Sequence, residues 1–160
     1  MTDNELQHRV RCEVARCMAI ARTRWPAQLA DMPEPAVDFK LKRKACGMAT
    51  FSTNTVSINM GVLRVDPEHV IGTTTAHEVA HLVHGKLVPS DYFKGTRQHH
   101  GRNWQAVMRA FGIANPLRAY TASPEVIQAM GLRPTRRRAP RRPRGVVLLS
   151  QLLGAAFTEG

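Results

Sequence analysis

The order of apolar and polar positions divides the chain into a helical start, an extended middle and a second helical stretch. Leu6, Val10, Val14, Cys17 and Ala21 recur at helical intervals, with Arg9, Arg11, Glu13, Arg16 and Arg22 between them. This period predicts an amphipathic helix over residues 4–23 that Trp25-Pro26 ends. Cys12 and Cys17 fall on or beside its apolar stripe and are expected to be packing residues. Pro26, Pro33 and Pro35 mark residues 26–36 as a connection. The period then shortens to two: Val37, Phe39 and Leu41 alternate with Asp38, Lys40 and Lys42, the signature of a half-buried strand. After the basic turn at 43–47, residues 48–52 and 55–60 read as a hairpin closed around Thr53-Asn54. The expected product is a small antiparallel sheet.

Helical signals return at Asp66-Pro67-Glu68, an N-cap acid followed by proline at the first helical position and a second acid in the first turn. The helix is predicted to run to His84, with Gly85 as its left-handed stop. Thr73, Thr74 and Thr75 suit packing positions whose hydroxyls bond back to the preceding turn. Residues 86–98 read as a loop. His99-His100-Gly101 then opens a helix whose Trp104, Val107, Met108 and Phe111 form an apolar stripe ending near Gly112. Residues 113–122 are irregular, and Ser123-Pro124-Glu125 starts a short helix that Gly131 ends. The fold class predicted is α+β, helices packed with a small sheet, over residues 1–125. Residues 126–160 then carry the short helix, an arginine-rich arm and the apolar segment Val146 to Phe157.

Composition narrows the classes. At 160 residues, 43% hydrophobic and 22% charged, the chain is globular and long enough to bury a core without staples. Three cysteines without C-x-x-C spacing argue against a disulfide framework and against a cysteine zinc knuckle. No signal peptide is expected at the polar N-terminus, and Val146 to Phe157 is far shorter than the roughly 20 residues that span a bilayer. A soluble monomer without a membrane partner is expected, in a bacterial cytoplasm or as a viral protein in its host's cytoplasm. The formal net charge of +11 adds polyanions to the expected partners. Much of that charge sits in Arg133, Arg136, Arg137, Arg138, Arg141, Arg142 and Arg144, interleaved with Pro134, Pro140 and Pro143. An extended arm of this kind is expected to contact the phosphates of DNA or RNA with little sequence preference.

The chemistry concentrates in His77-Glu78-Val79-Ala80-His81. Residues four apart share one face of a helix, so two neutral imidazoles there can hold one small cation, and the neighbouring carboxylate is placed to take a proton from attacking water. A catalytic zinc site wants a third protein ligand and one open position. His100, at the mouth of a helix anchored by Trp104, is the expected third ligand in preference to its neighbour His99. His84 lies one turn beyond His81, but a straight helix cannot wrap three turns around one ion. A role beside the negative end of the helix dipole is expected for it instead. His8 and His69 are expected on the surface. Tyr92, Tyr120 and Arg118 are the side chains whose chemistry suits an oxyanion stabiliser.

The combination of H-E-x-A-H, a loop and H-G-x-x-W opening a second helix resembles the SprT-like (Spartan) family of zinc metalloproteases, over about residues 5–120. The segment around Gly47–Met60 is similar to the sheet that precedes the family's motif helix. The resemblance implies a zincin-like domain with one Zn²⁺ per chain, held by His77, His81 and His100, and Glu78 as the catalytic base. It also implies protein substrates, above all proteins bound or crosslinked to DNA. Family members often continue into a four-cysteine zinc ribbon. No cysteine follows Cys46 here, so the ribbon is expected to be missing, with the arginine arm in its place. The alternative is a DNA-associated binding or regulatory protein that keeps the zinc site as a structural or vestigial feature.

Overall fold

The first helix starts where its sequence supplies a cap. In a computed structural model that describes residues 1–42, 45–93, 99–116 and 123–130, helix α1 covers Asp3–Arg24. The Thr2 hydroxyl accepts the Glu5 backbone N–H, and the Glu5 carboxylate accepts the Thr2 N–H, a reciprocal capping box. Leu6, Val10, Val14, Cys17, Met18 and Ala21 form its buried face. Cys17 packs as expected, whereas Cys12 is exposed beside His8, with Sγ 3.5 Å from Nε2.

Three short strands follow: β1 (Ala36–Asp38), β2 (Gly47–Thr50) and β3 (Thr55–Ile58), in the order β1-β3-β2. The β2–β3 hairpin is antiparallel, with Thr50 opposite Thr55 and Gly47 opposite Ile58. Its loop is a 3-10 turn, Phe51–Thr53, closed by Asn54 in the left-handed conformation at φ 46°. β1 pairs parallel with β3, Val37 opposite Val56. The sheet is therefore mixed, not antiparallel as expected. Alternation of side chains reports the faces of a strand and carries no information on its direction. β1 is also shorter than its pattern, because Asp38 turns the chain: its carboxylate accepts the Lys40 backbone N–H and the Ser57 hydroxyl.

The strand expected over 55–60 ends at Ile58, and Asn59 opens helix α2 (Met60–Val65). The Asn59 side chain accepts the Gly61 N–H and donates to the Ala45 carbonyl, so it caps the helix and ties down the approach to β2. Asp66 then caps α3 (Pro67–His69), which continues through a π-helical turn, Val70–Thr74, into α4 (Thr75–Leu87). The Thr75 backbone N–H reaches back five residues to the Val70 carbonyl, and its hydroxyl donates to the same oxygen at 2.9 Å. This is the back-bonding anticipated for the threonines.

Gly85 is not a stop. It lies buried inside α4, where a Cβ would fall 2.3 Å from the Phe51 ring of the hairpin loop. Close approach, not a left-handed turn, requires glycine there. A short helix, α5 (Ser90–Phe93), occupies part of the expected loop, followed by α6 (Arg102–Ala110) and α7 (Pro124–Ala129). Gly112 does end its helix, at φ 95°, with Ile113 N–H returning to the Met108 carbonyl. The core brings together α1, β3, α2, α4 and α6, with Trp104 and Phe111 its largest fully buried side chains. Val126 and Met130 bring α7 into the same core. Among the described residues no helix is long and apolar enough to cross a membrane. The arginine arm, Val146 to Phe157, Arg118, Tyr120, Gly131 and the side chain of Tyr92 lie outside the described residues.

Candidate metal centre

Helical geometry and one inter-helix packing contact bring the three histidines together. His77 and His81 are one turn apart on α4, and His100 stands two residues before α6, just ahead of its N-cap Gly101. All three Nε2 pairs, His77–His81, His81–His100 and His100–His77, are 3.1 Å apart. Hydrogen bonding does not explain such a triangle. Each imidazole nitrogen carries one in-plane proton or one in-plane lone pair, and neither can point at two neighbours at once. Converging lone pairs on a shared cation do explain it. Tetrahedral zinc with Zn–N bonds of 2.0–2.1 Å places its nitrogens about 3.3–3.4 Å apart, close to the observed edges. The donor set therefore fits a metal ion, and among the described residues this is the group of His, Cys, Asp and Glu side chains able to hold one. The three histidines are half-buried.

Electrostatics keep the rings ready as ligands. Burial, reinforced by the neighbouring His100, lowers the His77 pKa to about 4, and burial plus the surrounding histidines lowers His81 to about 2. Both are neutral lone-pair donors at pH 7. Beneath them lies the indole of Trp104, stacked on His81 at 5.6 Å and edge-on to His77 at 4.8 Å and to His100 at 4.7 Å. Its Nε1 is buried and meets no acceptor among the described residues. The indole thus serves as an apolar floor. The Gln105 side chain holds the His100 carbonyl at 3.2 Å.

Glu78 faces the sheet. Its carboxylate accepts the backbone N–H of Ala49, and burial raises its pKa from 4.5 to about 7 against the opposing pull of that bond. A cation bound by the adjacent histidines would lower it again. Gly47 makes the approach possible: a Cβ there would sit 2.7 Å from Glu78 Cγ and 2.9 Å from Thr74 Cγ2. Asn59 N–H donates to the Cys46 carbonyl, so the alternation of an antiparallel ladder points the polar groups of Gly47 and Ala49 away from β3, along the outer edge of β2. Sequence reading missed this contribution of Gly47 and Ala49. The basic-turn glycine before a strand was its one visible trace.

His84 stands in the last turn of α4, as expected, and outside the histidine triangle. It is fully buried, and its Nε2 lies 2.8 Å from Asp91 Oδ2. Asn103 Nδ2 donates to the same oxygen at 3.0 Å. Hydrogen bonds from Asn103 and His84 hold the Asp91 carboxyl below the ordinary carboxylate range. Beside its expected place in the last turn of α4, His84 thus has a side-chain partner from α5. His69 is half-buried and His8 exposed.

Comparison with known proteins gives the centre its relatives. The SprT-like family model matches residues 17–124, which contain all three histidines and Glu78. Protein SprT of Pseudomonas putida (strain GB-1) is 36% identical over 88 residues, covering 55% of this chain and 51% of its own. Protein SprT of Pseudomonas paraeruginosa (strain DSM 24068 / PA7) is 35% identical over 89 residues, covering 56% and 51%. The chain spans about half the length of these curated relatives. No solved structure matches it. With the family model matched over most of the described fold, the chain belongs to the SprT-like family.

Proposed function

We propose that the chain is a zinc-dependent metallopeptidase of zincin-like architecture, with residues 1–125 as the catalytic domain and residues 126–160 as a basic arm. The observation that carries this reading is the 3.1 Å triangle of His77, His81 and His100 beside the buried carboxyl of Glu78. Zinc bound there supplies Lewis-acid polarisation of a peptide carbonyl and acidification of water. The protein's own groups do the rest. Glu78, steered by the Ala49 amide, accepts the proton of the attacking water and returns it to the leaving amine. The outer edge of β2, where the Ala49 N–H already serves Glu78, offers an extended substrate backbone the remaining outward groups of Gly47 and Ala49. Gly47 keeps that edge close to the reacting groups.

The substrates of this reading are proteins held on DNA. Arg133, Arg136, Arg137, Arg138, Arg141, Arg142 and Arg144 supply phosphate contacts that concentrate the enzyme there. Metal analysis and a cleavage assay, with and without single-stranded DNA, test both parts. The wild type is expected to retain one zinc and to cleave a DNA-bound protein, whereas Glu78→Gln retains zinc and does not cleave. A zinc-loaded wild type that cleaves neither itself nor a DNA-bound protein sinks the peptidase reading in favour of a DNA-associated binding protein with a structural zinc site.

A further inference from the structure

The third ligand arrives from a different helix than the other two. His77 and His81 are placed by the backbone of α4, whereas His100 comes from outside it, two residues ahead of α6, where the Gln105 side chain ties its carbonyl to α6 and sets no position relative to α4. The apolar contact of Trp104 with the histidines brings α6 against α4, but apolar packing is non-directional and tolerates small slides along the interface. A directional link is needed to set where along α4 the His100 ring arrives. Asp91 provides one. Its Oδ2 takes a hydrogen bond from Asn103, three residues beyond His100, and lies 2.8 Å from the Nε2 of His84, three residues beyond His81.

We propose that Asp91 is a positioning residue of the metal centre: through His84 on α4 and Asn103 on α6 it fixes the register in which His100 meets His77 and His81. The inference rests on the metal reading above. One carboxylate oxygen is shared by both partners, so a shift of α6 relative to α4 breaks at least one of two charge-assisted bonds. His84 makes the anchor rigid because it is fully buried within α4. Asn103 is exposed, and no other hydrogen bond is evident for its side chain among the described residues, so its bond to Asp91 is a specific tether. Outer partners of this kind typically change metal affinity about 10–100-fold when removed.

The test measures zinc affinity by competition with a chromophoric chelator in the full chain. It compares the wild type with Asp91→Ala, Asn103→Ala and His100→Ala, and with each of the first two combined with His100→Ala. Asp91→Ala and Asn103→Ala are each expected to weaken zinc binding about 10–100-fold. In the His100→Ala background the same substitutions are expected to change affinity by less than about twofold, since the ligand they position is gone. Co²⁺ loaded into Asp91→Ala is expected to show a changed visible absorption band, the sign of altered coordination. Equal zinc affinity in the wild type and both variants, with His100→Ala still weakened, overturns the proposal alone. So does a loss that persists undiminished in the His100→Ala background, which would mark the network as purely structural. A wild type that binds no zinc overturns the metal reading and the proposal together. If Asp91→Ala fails to fold, the exposed Asn103→Ala still decides the matter.

Discussion

Helix α4 is flanked by two walls built in opposite ways. On the sheet side, Gly47 and Ala49 act through backbone alone, one by lacking a side chain and the other by donating an amide to Glu78. On the α6 side, everything depends on side chains: the His100 ring, the Trp104 indole beneath it, and the Asn103–Asp91–His84 chain of contacts. The difference follows from what each wall must hold. The carboxyl of Glu78 must be approached closely and kept from over-stabilisation, and a single amide does this with little adjustable freedom. A metal ligand arriving from another segment must be brought to one spot in three dimensions, which takes packing and directional bonds together.

The two walls should fail differently. The largest expected effect comes from Trp104→Ala, which removes the floor of the α6 side and should cost about 3–5 kcal/mol of stability, read by denaturant unfolding, with zinc affinity lost in step. Glu78→Gln should lower peptide cleavage about 10²–10⁴-fold while zinc content stays at one per chain. A coincident loss of zinc would mean that Glu78 serves the metal rather than the proton. Gly47→Ala should destabilise by about 1–3 kcal/mol through overpacking. It should reduce cleavage but leave zinc affinity within a few-fold, because the backbone wall touches no ligand.

The smallest expected effect is a pH slope in the metal-free chain. His77 and His81 have depressed folded-state pKa values, so the stability they contribute is present above about pH 6.5 and is lost as pH falls toward the value near 4 for His77. Glu78 has the opposite sign. Its raised pKa gives a contribution that is complete below about 4.5 and is lost as pH rises through about 7. Glu78 therefore softens the acid loss between these limits. Thermal melts of metal-free Glu78→Gln should fall more steeply on acidification than those of the wild type. An equal slope would show that the carboxyl is not held in its raised state.

How much of this was legible in the sequence depends on how locally each feature is encoded. The pair His77 and His81 follows from helical period, and His100 from a histidine ahead of a glycine and an anchored tryptophan. The mixed sheet did not follow, because the alternation at Val37 and Phe39 is the same for either strand direction. Gly85 and Gly112 look alike in a local window. Only the structure shows that the first admits the ring of Phe51 while the second adopts φ 95°. Helix α2 was hidden because Val56, Ile58 and Met60 continue a strand-like alternation through Asn59, the residue that ends it. Asp91 stands in a stretch with no period at all, so its pairing with a buried histidine on another helix had no sequence trace.

The π-helical turn Val70–Thr74 has one more consequence, for the phase of the helix it interrupts. Each residue advances an α-helix by about 100°, so one additional residue in the turn offsets the face presented after it from the face presented before it. Before the turn, Glu68 points to Arg9 of α1, with contacts of 2.8 and 2.9 Å. After it, His77 and His81 point to α6. The offset lets the two halves be aligned independently, each to its own neighbour. A chain shortened by one residue there would have to give up either the cap and ion pair at one end or the histidine face at the other.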